Sequence, residues 1–371
     1  MEGTAPTPRK TPLYEAHRNL GAKLIDFGGW LMPVQYPAGI IEEHRATRTA
    51  VGQFDVCHMG EVHFRGPRAS EAVQRLVTGD IAKLPTGHAL YTVACLPEGG
   101  IVDDLIVYRL AADHLLIVVN ASNIAKDVAW FRENVGSWCD IVDASDDTGL
   151  IAFQGPRAQE ALQTLTAAPL DSLRSFDFLA SAVVAGVAVS IARTGYTAED
   201  GFELFCAARD APRLWDALLE AAGTVGGKPV GLGARDTLRL EGRLSLYGND
   251  LTEQTTPLEA GLAWVVKFDA GDFIGKDALL RQRAAGVQKR LVGFVMVGRG
   301  IARHGYPIVD FNGARLGEVT SGAPGPTVGK NIGLGYVPTT LADVGTRLTV
   351  DCRGKMVEAE VVRGPFYRRQ R

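Results

Sequence analysis

Three runs of the 371-residue chain place polar groups inside apolar patterns, where chemistry can reside. The first is GGIVDDLIVY, residues 99–108. Two glycines make a hairpin turn, and the residues after them read as a strand whose neighbours point to opposite faces. Asp103 and Asp104 therefore cannot enter one pocket together. An aspartate on the buried face needs a partner or a task, because burying an unpaired carboxylate is costly; capping the hairpin turn is the other use open to both. The second run is RTGYTAEDGFEL, residues 193–204, with Tyr196 in a glycine-flanked turn and Glu203 between Phe202 and Leu204. A strand carboxylate can accept two donors from an amidine-like edge, such as that of a pterin or guanine; facing water on an edge strand is the alternative. The third is GLGARDTLRLEGR, residues 231–243, a glycine turn entering a helix. Arg235 lies near the helix start, where its charge opposes the helix dipole. It needs an anion or a carbonyl nearby, and Asp236 or Glu241 could supply one.

Other chemistries lack their residues. Gly231 and Gly233 have no third glycine for a dinucleotide fingerprint, and GPTVGKN lacks the first glycine and the Ser/Thr of a phosphate loop. No H-E-x-x-H and no G-x-S-x-G run is present. His58 and His63 have no third ligand close in sequence, so no metal site is expected. Five scattered cysteines form no C-x-x-C pair, which argues against a disulfide framework and suits a reducing compartment. A net charge of −3 gives no basic excess for nucleic acid. No apolar run is long enough for a membrane span, and no targeting signal stands out, so a cytoplasmic protein is expected.

The elements that position these runs follow from periodicity. GPRASEAVQRL begins at Gly66 and GPRAQEALQTL at Gly155, with eight of eleven positions identical. Each follows a short apolar–polar alternation, and proline suits the first turn of a helix. Apolar residues then recur at helical spacing: Ala69, Ala72, Val73 and Leu76, and Ala158, Ala161, Leu162 and Leu165. Two related α+β units are expected, each built on a strand, a turn and a helix. Strands are expected at 89–95, 101–110, 115–119 and 201–206, and helices at 122–135, 211–222 and 276–285. Residues 181–192, rich in valine and alanine, read as one buried strand. From Arg290 onward, six short strands between glycine and proline turns predict an all-β domain.

Taken together, these runs resemble the glycine cleavage T-protein family of aminomethyltransferases. The resemblance begins at residues 11–36 and continues through VGQFDVCHMGEVHFRGP, GGIVDDLIVY, LIVVNASNIAKD, RTGYTAEDGFEL, GLGARDTLRLE, PLEAGLAWVVK and DFIGKDAL to the closing PFYRR. It implies an α+β fold: a three-domain cloverleaf around a central folate pocket, with two related α+β domains and a C-terminal β-barrel or jelly-roll-like domain. Domain ranges of 1–55 with 140–240, 56–139 with 241–285, and 286–371 are expected.

The activity implied is transfer of an aminomethyl one-carbon unit from a lipoyl-carrying H-protein, a transient partner, to tetrahydrofolate. The products would be 5,10-methylenetetrahydrofolate, ammonia and the dihydrolipoyl carrier, with no metal on this chain. By the same resemblance Asp104 is the catalytic acid. Glu203 and Arg235 hold the pterin edge, Tyr91, Asn120 and Tyr196 line the pocket, and Met59 is a further pocket position. Arg368 or Arg369 would reach the folate tail. Cys57 stands where relatives often have serine and reads as a small buried substitute rather than a nucleophile. Ala198 replaces a usual glycine of the tyrosine turn. Two alternatives share the pocket: a folate-dependent demethylase and a non-catalytic folate-binding protein. An oxidase relative would need a flavin domain that 371 residues do not accommodate. The binding protein's K-G-C-Y run is replaced here by GRLSLYGND, with Ser245 and no cysteine.

Overall fold

The duplicated run folds twice in the same way. Strand Gly60–Arg65 leads through Gly66 into helix Ala69–Leu76, and strand Thr148–Gln154 leads through Gly155 into helix Ala158–Gln163. Ala69, Ala72, Val73 and Leu76 are fully buried, as are Ala158, Ala161 and Leu162. The apolar stripe read from the sequence is thus the face each helix packs inward. The computed structural model describes residues 7–310 and 312–369. The chain divides into two compact units, one of Met1–Ala69, Leu84–Leu90 and Ile106–Asp236, the other of Ser70–Lys83, Tyr91–Leu105 and Thr237–Arg371.

In the first unit a six-stranded sheet has the order Phe178–Val184, Val187–Ala192, Gly201–Ala207, Thr148–Gln154, Gly52–Asp55, Lys228–Pro229. Its pairings are antiparallel except the last. Ile151, Phe153, Phe202 and Leu204 join one core with Leu214, Trp215 and Leu218 of helix Ala211–Thr224. Strand alternation then turns Glu203 and Phe205 to the opposite face. A second sheet in this unit pairs His114–Val119 with Gly60–Arg65, and that strand with Asp140–Asp143. Phe64 packs edge-on against Phe131 of helix Ile124–Val135, which leaves Glu61 and His63 on the other face of the strand.

One expected strand is corrected. Residues 181–192 do not run as a single buried strand but as two arms of a hairpin, Phe178–Val184 and Val187–Ala192. Ala185 and Gly186 both take positive φ (49° and 76°) and form the two-residue turn that matches strand twist. Alanine is an unusual residue for that turn, so nothing in the Val/Ala run announced it. Val183 is 59% exposed, so one face of this arm is not core.

The second unit contains a closed six-stranded barrel in the order Lys289–Met296, Lys330–Pro338, Arg315–Gly325, Pro307–Val309, Arg347–Asp351, Met356–Val362. Closure of the last strand on the first removes both sheet edges. Phe294, Ile308, Val319, Val350 and Ala359 fill its interior. Beside the barrel, Arg239 donates to Asp250 at 2.7 Å and to Ser321 Oγ at 2.8 Å, while Thr320 and Ser321 donate to the other Asp250 oxygen. This buried pair is fully hydrogen-bonded, the condition under which burying two charges is tolerated.

Candidate active site

The second unit positions Asp104. The turn before its strand is held by Ile101, whose N–H donates to the Thr252 and Thr255 carbonyls and whose own carbonyl accepts from the Tyr247 hydroxyl at 3.0 Å. Gly100 has no alternative there: a Cβ would lie 1.9 Å from the Glu253 carbonyl oxygen. The turn chemistry thus clamps the start of strand Ile101–Ala111. Alternation does the rest. Asp103 is fully buried, and Asp104, on the opposite face, is half-buried. Oδ2 of Asp104 accepts from the Tyr91 hydroxyl at 2.9 Å. The Tyr91 ring stacks on Trp264 with centroids 5.9 Å apart, and Trp264 is 61% exposed. A half-exposed carboxyl beside two flat rings is suited to a planar cationic or protonating substrate.

The first unit positions Glu203. Thr194 Oγ donates to Glu203 Oε2 at 2.5 Å. That uses the only proton of Thr194, so the 3.2 Å contact with Tyr108 is donated by the tyrosine hydroxyl. Burial raises the Glu203 carboxyl above its usual range, while Thr194, the charge of Arg235 and the Tyr108 hydroxyl pull it back. The Arg235 guanidinium sits 4.8 Å over the Tyr196 ring, a cation–π contact. Burial lowers the Arg235 pKa; Tyr196 and Glu203 oppose that shift.

Both Glu203 neighbours are held by their own frames. Helix Leu232–Glu241 carries Arg235, and at its entrance the Glu43 carboxylate accepts from the N–H groups of Gly231 at 2.9 Å and Tyr36 at 2.6 Å. The Tyr196 loop is closed by the Arg193–Asp200 pair and by Arg48, which donates to the Thr197 carbonyl and to Glu199. The Gln154 amide donates to the Thr194 and Phe202 carbonyls and accepts from Thr197. Gly195 must be glycine for this, since its Cβ would meet Gln154 Oε1 at 1.8 Å.

The remaining expected residues fall as follows. Met59 and Asn120, both half-buried in the first unit, sit at the strand entrance before Gly60 and at the end of strand His114–Val119. Arg368 and Arg369 are exposed near the C-terminus. Cys57 is buried, donates to the Leu150 carbonyl at 3.2 Å, and has its thiol pushed well up by burial. It is therefore a poor nucleophile.

Sequence reasoning did not single out Thr194, Tyr108 or Trp264, nor did it give His58 a role of its own. His58 is buried, packs edge-on against Phe27, and has its pKa lowered to about 4 by burial, with Arg235 adding to the shift and Asp55 opposing it. Thr194 and Tyr108 stand at the ends of two of the quoted runs, and that adjacency was the available signal. Among the described residues no cluster of three or more His, Cys, Asp or Glu side chains could hold a metal ion, and no helix is long and apolar enough to cross a membrane.

Comparison with known proteins follows the same two parts of the chain. Residues 13–270 match the family model described as the GCVT N-terminal domain, and residues 289–368 match the glycine cleavage T-protein C-terminal barrel domain. Aminomethyltransferases of Halothermothrix orenii and Desulforamulus reducens are 50% and 51% identical to it, over 96% and 98% of this chain and 99% of each relative. The crystal structure of glycine cleavage system aminomethyltransferase T from Bartonella henselae superposes with a TM-score of 0.90 at 35% identity, covering 97% of this chain and 98% of that one.

Proposed function

The chain belongs to the glycine cleavage T-protein family, and on that premise we propose how its own residues work. It is a tetrahydrofolate-dependent aminomethyltransferase of glycine cleavage. The donor is a lipoyl-carrying H-protein that docks transiently and holds an aminomethyl group on sulphur. In the transfer the carbon gives up its bonds to sulphur and nitrogen and gains bonds to two folate nitrogens. Ammonia and the dihydrolipoyl carrier leave.

Asp104 acts at the reacting nitrogens. Its carboxylate stabilises iminium character on the incoming carbon and handles the protons that accompany ammonia departure. The Tyr91 hydrogen bond holds Oδ2 and so orients the carboxylate for that task. Glu203 takes the amidine-like edge of the pterin, and Arg235 balances its charge while Tyr196 supplies a flat wall. Met59 and Asn120 line the same ligand. The observation that carries this reading is Glu203, an otherwise apolar strand's one carboxylate, held by Thr194 in the field of Arg235.

The test is ammonia release from aminomethyl-loaded H-protein with and without tetrahydrofolate. Rapid release that needs both the folate and Asp104 is expected. Tight folate binding without folate-dependent release would instead favour a demethylase or a binding protein built on the same pocket.

A further inference from the structure

Three chain connections meet at one end of the barrel. Residues 297–306 join Lys289–Met296 to Pro307–Val309, residues 326–329 join Arg315–Gly325 to Lys330–Pro338, and residues 352–355 join Arg347–Asp351 to Met356–Val362. The pairings of Val295 with Ile332, Met296 with Ala359, Gly325 with Lys330 and Asp351 with Met356 put all three at the same end. They are tied together there. The Val297 N–H donates to the Glu358 carbonyl, the Asn331 amide donates to the Gly300 carbonyl at 2.8 Å, and Lys355 Nζ donates to the Arg299 carbonyl at 3.2 Å.

The charge of this end is of one sign. Arg299, Arg303, Arg353 and Lys355 lie in the connections, Lys330 opens the strand beside them, and the three connections contain no acid. All five cations are exposed, and among the described residues none of them forms an ion pair. The acids that flank them on the strands are engaged: Asp351 accepts from the Gly354 N–H, and Glu358 pairs with Arg347 at 3.1 Å. Single surface charges are ordinary. Cations gathered without counter-charge repel one another, which is a cost. Arg353 adds a second cost, because it and Gly354 take positive φ (61° and 85°) in a two-residue hairpin turn that favours Asn-Gly. Two apolar side chains stand beside these charges: Val297 is 51% exposed and Met356 55%.

A surface that offers negative charge and hydrocarbon together would use all of these residues. An anionic bilayer does: headgroup phosphates take the cations, and the acyl boundary takes the apolar side chains. A stable acidic protein partner would bury roughly 800 Å² on this side, more than these turn tips offer. Nucleic acid binds through its phosphates and would leave the apolar pair unused. We propose that this end of the barrel docks on anionic membrane surfaces, with the five cations on lipid headgroups and Val297 and Met356 entering the headgroup–acyl boundary.

The probe is a vesicle of phosphatidylcholine mixed with phosphatidylglycerol, sedimented with the full chain at low salt beside vesicles of phosphatidylcholine alone. The chain should sediment with the anionic vesicles and stay in solution with the neutral ones. Salt at about 1 M, where screening acts within ~3 Å, should release it. Arg353→Asn and Lys355→Gln should each weaken binding about fivefold, the worth of one cation at such a surface. Met356→Ser should weaken it at least roughly threefold. Asparagine suits the turn at position 353, so Arg353→Asn should keep the thermal midpoint and the turnover of the wild type, and its loss of binding is then read on folded protein. Equal binding to neutral vesicles, no binding to anionic ones, or unchanged binding in the two charge variants would overturn the proposal. So would loss of binding in the charge variants with none in Met356→Ser, which would mark a plain polyanion site. A raised KM for loaded H-protein in the charge variants, without vesicle binding by the wild type, would make an acidic protein face the occupant instead.

Discussion

The Tyr91 hydroxyl donates to Oδ2 of Asp104 at 2.9 Å, and the same ring stacks on Trp264. One side chain therefore both orients the carboxyl and extends the flat surface beside it. This division of labour separates positioning from proton chemistry, and the two can be tested apart.

Asp104→Asn keeps the shape and removes the base. Turnover should fall roughly 10²–10⁴-fold, the usual worth of a positioned acid or base, while tetrahydrofolate affinity stays nearly unchanged. Tyr91→Phe keeps the ring and loses the hydrogen bond, and should cost only about 3–10-fold in turnover. Single-turnover methylene-tetrahydrofolate formation measures both. Equal turnover in Asp104→Asn would remove Asp104 from the mechanism.

Glu203→Ala should weaken tetrahydrofolate binding by about 1–3 kcal/mol, the scale of a lost buried hydrogen-bond partner. Thr194→Val should act in the same direction and more weakly, because it frees Oε2 of Glu203 without removing the carboxylate. Titration calorimetry reads both. Unchanged affinity in Glu203→Ala would mean that the pterin edge is read elsewhere.

The positions of Asp103, Asp104 and Glu203 were legible because a strand's period of two assigns faces without knowledge of the fold. The barrel strands were legible from their turns. Thr194 and Tyr108 were not, because the contact that carries Tyr108 through Thr194 to Glu203 brings the end of one run against another by tertiary packing. The 181–192 hairpin stayed hidden because Ala185 occupies a left-handed turn position that alanine rarely takes.

Ala198 is a second alanine in the left-handed region, at φ 62°, inside the Tyr196 loop. That conformation costs an alanine about 1–2 kcal/mol. Glycine would remove the strain but add freedom to the unfolded chain. Ala198→Gly should therefore raise stability by a net ~0.5–1 kcal/mol. Urea unfolding measures it, and a lower midpoint with unchanged slope would show that the loop holds Ala198 without strain.

His58 sets an acid limit on the fold. Its folded pKa is lowered to about 4 from 6.5, mainly by burial. Above 6.5 it is neutral folded or unfolded, and its full contribution is present. As pH falls through the window from 6.5 to about 4, the unfolded chain gains a proton that the folded chain refuses, so stability is lost at up to about 1.4 kcal/mol per pH unit. His63 adds a slope of the same sign, so the comparison must be between proteins that differ only at position 58. His58→Gln should flatten the decline, closing on wild type as pH rises past 6.5 apart from a constant packing offset. Imidazole nitrogen shifts should show His58 uncharged at pH 6, on the basis of the same depressed pKa. A charged His58 there, or an unaltered pH slope in His58→Gln, would contradict the assignment of the acid limit to this residue.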